Sequence, residues 1–68
     1  MIPGDYSRSH VSAVIDEYVF NERNRAILKR RLLDGITYDC LALEFQMSVR
    51  QVKAIVYKEE GRVFRHLS

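Results

Sequence analysis

Apolar residues recur along this chain at three- and four-residue intervals, and in no stretch do they alternate with polar ones. That spacing predicts helices and no strand. Val11, Val14, Ile15, Tyr18 and Val19 share one helical face, so a first helix is expected from Ser7 or Ser9 to Val19. Pro3-Gly4 breaks helices, which makes residues 1–6 a flexible lead and residues 7–68 a single domain. Asn21 is an N-cap, Glu22 suits the first turn, and Lys29, Arg30 and Arg31 suit the last. With Gly35 as a left-handed stop, the second helix should run from Glu22 to Asp34. Its apolar arc holds Ile27, Leu28 and Leu32; Arg31 projects into that arc and needs to snorkel or meet a carboxylate.

Thr37 caps a short third helix, Tyr38 to Phe45, with Leu41, Ala42 and Phe45 on its inner edge. Ser48 caps a fourth. On a helical wheel, Val49, Val52, Ile55, Val56, Val63 and Leu67 fall on one side. Arg50, Lys53, Ala54, Tyr57, Lys58 and Arg65 fall on the other. The register continues across Gly61, so one long helix to about His66 is expected, with Gly61 costing ~1 kcal/mol. A kink or frayed end after Glu60 is the alternative.

Sixty-eight residues make one domain at most, with a small core. The net charge of +2 permits a nucleic-acid partner without demanding one, so the distribution of charge decides. Cys40 is the single cysteine, which excludes an internal disulfide and a cysteine-based zinc site; it reads as a partly buried small apolar residue. A small domain without staples points to the cytoplasm. The first ten residues lack a signal-peptide core, and no apolar run approaches ~18 residues, so neither export nor a membrane span is expected. There is no nucleophile–base pair, no carboxylate cluster and no phosphate loop, so no enzyme and no cofactor are expected. His10 and His66 read as surface histidines, and Asp16-Glu17 and Glu59-Glu60 as solvated acids, with Glu59 close enough to the apolar stripe to pair with a base.

The third and fourth helices have the layout of a helix-turn-helix. Ala42 is the small residue that allows a close crossing. Leu41, Phe45 and Met47 are the apolar residues around it, and Val52 and Ile55 the inward pair one turn apart on the second helix. Gln46 stands where such turns often carry glycine; a left-handed glutamine costs ~1 kcal/mol. The expected architecture is therefore all-α, a tri-helical core plus an N-terminal helix, with a long C-terminal recognition helix.

The segment "LLDGITYDCLALEFQMSVRQVKAIVYKEEGRVFRHL" resembles region 4 of the bacterial sigma-70 factors. Gly35, Thr37-Tyr38, Leu41-Ala42, Ser48 and Val52-Lys53 carry the resemblance, and Arg31 stands for that family's internal arginine. The resemblance implies a last helix in the major groove of promoter DNA, contact with RNA polymerase, and base or phosphate contacts from Arg50, Gln51, Lys53 and Ala54. The chain has no counterpart of the promoter-melting domain, so the resemblance points to a small standalone regulator of phage or mobile-element type. Cys40 replaces the carboxylate that usually pairs with the internal arginine, and Glu44 is a substitute one turn later.

The residues support the same reading without the family. A helix face with no acid can approach phosphates. Arg50 can bond guanine bidentately, Gln51 adenine, and Lys53 and Lys58 suit phosphates. The helix starts at Thr37-Tyr38 and Ser48-Val49 offer N–H groups to phosphate oxygens. Arg23, Lys29 and Arg30 are candidates for a wider footprint. Tyr57 and Tyr38 can contact the sugar-phosphate or merely cover apolar surface. A basic helix face is ordinarily solvated surface, and the turn pattern in front of it is what favours double-stranded DNA. The competing expectation is a helical adaptor that binds RNA polymerase or a phage assembly or packaging partner. A homodimer through helix one and the Val63-Phe64-Leu67 cluster is a further expectation.

Overall fold

The computed structural model describes residues 7–67; the expected flexible lead and Ser68 lie outside the described residues. Four helices follow in order: α1 (Arg8–Tyr18), α2 (Glu22–Leu32), α3 (Tyr38–Phe45) and α4 (Val49–Leu67). No strand occurs among the described residues.

Each helix begins where a side chain replaces the missing partner of a first-turn amide. Ser7 Oγ accepts from His10 N at 3.1 Å, Asn21 Oδ1 from Asn24 N at 3.1 Å, and Thr37 Oγ1 from Cys40 N at 3.2 Å. Ser48 Oγ accepts from Gln51 N at 3.1 Å. Each such cap is worth about 1 kcal/mol, a useful share of the stability of a chain this short.

The ends are set differently. α2 stops at Leu32, short of the expected Asp34. Gly35 turns left-handed at φ 68°, and Ile36 N–H donates back to the Arg30 carbonyl at 3.2 Å. Arg8 reaches across from α1, donates to the Leu33 carbonyl and pairs with Asp34 at 3.0 Å. This tertiary contact satisfies the Leu33 carbonyl, one of the groups at the helix end that has no intrahelical partner. α3 is closed after Phe45 by Gln46, left-handed at φ 55° and ψ 49°. Met47 N–H then donates to the Ala42 carbonyl at 2.9 Å, which tightens the three-residue turn into α4.

α4 is the spine. Its 19 residues span about 28 Å at 1.5 Å per residue, nearly the whole 31 Å length of the molecule. It packs against α1, α2 and α3. The core is Val11, Ile15 and Val19 from the first segment, Ile27 and Leu28 from α2, Leu41 from α3, and Val52, Val56 and Val63 from α4, all fully buried. Ala42 is buried, and Phe45, Met47, Val49 and Ile55 pack partly buried against this cluster. At the far end, the rings of Tyr18 and His66 stack at 3.7 Å and tie α1 to the end of α4.

Some expectations are corrected by packing. Cys40 is exposed, because the inward side of α3 is filled by Leu41 and Ala42. Glu59 is not solvated; it is 4% exposed, and among the described residues no base pairs with it. Of the suspected dimer cluster, Val63 and Leu67 are buried in the chain's own core, while Phe64 is half-buried. Asp16 is exposed as expected, and it also pairs: Lys29 lies 2.7 Å from it and Arg25 3.8 Å.

α4 runs unbroken through Gly61, so the kink alternative falls away. A Cβ placed on Gly61 meets nothing within 4 Å. Gly61→Ala is therefore expected to stabilise the domain by about 0.5–1 kcal/mol. Urea unfolding followed by circular dichroism measures this; a lowered midpoint would mean that the helix needs the glycine's freedom.

Candidate nucleic-acid interface

The outward face of α4 is built by the same residues that build its inward face. With Val52, Val56, Glu59, Val63 and Leu67 buried, helical geometry sends Arg50, Lys53, Ala54, Tyr57 and Lys58 to solvent, and all of them are exposed. Val49, Arg50, Lys53, Ala54 and Tyr57 line one open concavity of about 440 Å³. From Val49 to Lys58 the helix carries no acid.

The start of α4 is braced more firmly than the wheel alone implies. Ser48 and Gln51 cap each other: besides the Ser48 Oγ bond, Gln51 Oε1 accepts from Ser48 N at 2.9 Å. This is a capping box, whose Ser-x-x-Gln signature was present in the sequence. It leaves the amides of Val49 and Arg50 without a capping side chain, and the first turn holds no acid to repel an anion. It also ties down the Gln51 side chain, so Gln51 serves the helix start before it serves any base. At Thr37 the α3 start is capped too, but exposed Asp39 stands in its first turn. An anion there meets a carboxylate, so the start of α4 is the more favourable of the two.

Tyr38 is half-buried and joins three elements. The Arg31 guanidinium lies 4.3 Å above its ring, the Lys53 ammonium 5.6 Å from its centre, and the Tyr57 ring meets it edge-on at 6.2 Å. Arg31 also donates to the Ile36 carbonyl at 3.1 Å. The internal arginine therefore satisfies itself with a carbonyl and an aromatic face. Glu44 does not substitute as its partner; it pairs with Arg30 at 2.8 Å. Tyr38 thus connects the α2–α3 junction to the outward face of α4.

The charges sort into two groups. On α1 and α2, Arg8, Arg25, Lys29 and Arg30 are drawn into contacts with Asp34, Asp16 and Glu44. Arg23 bonds Asn24 weakly at 3.4 Å. Lys29 and Arg30 therefore do not extend the outward basic face. On α4, among the described residues, no ion pair closes on Arg50, Lys53 or Lys58. Arg31, Arg62 and Arg65 likewise close no ion pair among the described residues.

Of the ten residues singled out from sequence, Val49, Arg50, Lys53, Ala54 and Tyr57 come together in the concavity, with Tyr38 against its edge. Ser48 and Gln51 form the cap, Thr37 caps the neighbouring helix, and Lys58 lies further along the exposed side. Sequence reasoning missed Arg31 as the cation over Tyr38, since nothing local pairs the two. No group of three or more metal-ligating side chains occurs among the described residues, and none of their helices is long and apolar enough to cross a membrane. Comparison with known proteins gives no matching family model, no matching curated protein and no matching solved structure.

Proposed function

We propose that this chain is a sequence-specific binder of double-stranded DNA of the helix-turn-helix type, acting in transcription regulation, with α4 in the major groove. The observation that carries the reading is an acid-free stretch of α4 that presents Arg50, Lys53 and Lys58 outward with no ion pair closed on them, whereas Arg8, Arg25, Lys29 and Arg30 are matched by acids. The left-handed turn at Gln46 and the Ser48–Gln51 box support the reading, because they fix the start of α4 relative to α3. In this reading Arg50 contacts a base, Lys53 and Lys58 contact phosphates, and the Val49 and Arg50 amides bond a phosphate oxygen at the helix start. A surface of this size makes few contacts, so useful specificity requires a second copy on a half-site ~34 Å away.

A second reading, the adaptor for RNA polymerase or an assembly partner, is favoured by Leu43, 82% exposed on α3, and Phe20, 77% exposed before α2. Selection of bound sites from random duplex DNA at two salt concentrations separates the two. DNA binding is expected to enrich a motif and to fall with salt at a log–log slope near −0.9 per phosphate neutralised. Absence of enrichment, with salt-insensitive retention, would leave the adaptor reading in its place.

A further inference from the structure

We infer that the concavity on α4 reads the 5-methyl group of a pyrimidine beside the base that Arg50 contacts; this rests on the DNA-binding reading above. The walls of the concavity are mostly hydrocarbon. Ala54 offers a bare methyl, Val49 and Tyr57 offer apolar flanks, and Arg50 and Lys53 supply the cations. Val49 is half-buried against the core and Tyr57 meets Tyr38 edge-on, so these walls are held from behind. The cations, in a stretch free of acids, argue for a polyanion as the occupant. The hydrocarbon argues for something apolar on that polyanion.

In the major groove the apolar feature is the C5-methyl of thymine, and 5-methylcytosine carries the same group. Arg50 and Ala54 are one turn apart on the same face, about 6 Å along the axis. Arg50 has the reach to bond guanine O6 and N7 while the shorter Ala54 lets the helix close on a neighbouring base step. Hydrogen-bond readers alone would leave the Ala54 and Val49 surface against water. A methyl group placed there is withdrawn from water instead.

The test is made on the DNA first, so that no protein variant has to fold. In the selected site, each thymine is replaced by uracil and each cytosine by 5-methylcytosine, one position at a time. Removing the methyl next to the Arg50-dependent guanine is expected to weaken binding about three- to fivefold, the worth of one buried methyl group. If that neighbour is a cytosine, methylation should strengthen binding by a similar factor. Ala54→Gln is then expected to abolish this discrimination and to weaken the selected site, with the fold unchanged by circular dichroism, since Ala54 is exposed and its replacement leaves the core untouched. If every exchange leaves the affinity unchanged while the motif is still bound, the methyl-reading inference fails and the DNA-binding reading stands. If no duplex is bound in any sequence, both fail together.

Discussion

Leu41→Ala is expected to remove most of the stability of the domain. Leu41 is fully buried where α3 meets the rest of the core. Truncation to alanine loses the transfer free energy of its methyl groups and leaves a cavity, together costing about 2–5 kcal/mol. A chain of this length holds a total of only about 3–10 kcal/mol, so a large fraction of the variant is expected to be unfolded without denaturant. The control lies two residues away. Leu43 is 82% exposed on the same helix, and Leu43→Ala should shift stability by no more than about 0.5 kcal/mol. Urea titrations of both variants measure the contrast. If Leu41→Ala costs less than about 1 kcal/mol, α3 is not docked as described.

The same contrast shows what can be read from the sequence. Position within a 3.6-residue period separated Leu41 from Leu43, and the same rule placed every buried residue of α4 except Glu59. Caps were equally legible at Asn21, Thr37 and Ser48, because each acts on an amide three residues away. Contacts between distant residues were not. The end of α2 is bonded by Arg8, and Lys29 is paired by Asp16; neither partner is close in sequence. Arg31 was recognised as a charge in an apolar arc, but its solution is an aromatic face and a carbonyl rather than the carboxylate that charge matching alone favours.

Glu59 is the other lesson. Its place at the edge of the apolar stripe was visible, yet burial was not, since that depends on how closely neighbouring helices approach α4. The candidate interface was legible for a simpler reason. Once the core face of an isolated amphipathic helix is known, the opposite face is known as well. What the sequence could not supply was the pairing of Arg8, Arg25, Lys29 and Arg30 with acids from other segments, which leaves Arg50, Lys53 and Lys58 among the cations without an ion pair.

Arg50→Ala should therefore separate recognition from mere attraction. Arg50 is exposed in the first turn of α4, lines the concavity, and has no acid paired with it among the described residues. Its guanidinium can bond both acceptors of a guanine edge, and losing such a bidentate contact costs about 1–3 kcal/mol of discrimination. Affinity for the selected site should fall roughly 5- to 150-fold by that measure, with preference lost at one base pair and weaker change on random duplex. Lys58→Ala should act otherwise. It should weaken selected and random duplexes alike and reduce the salt slope by about 0.9. Arg50→Lys divides the two effects within one side chain, since it keeps the charge but not the planar fork; the salt slope should hold while the base preference goes. Should Arg50→Ala instead weaken every duplex equally, Arg50 is a phosphate contact, and the reading head on α4 must be sought at another residue.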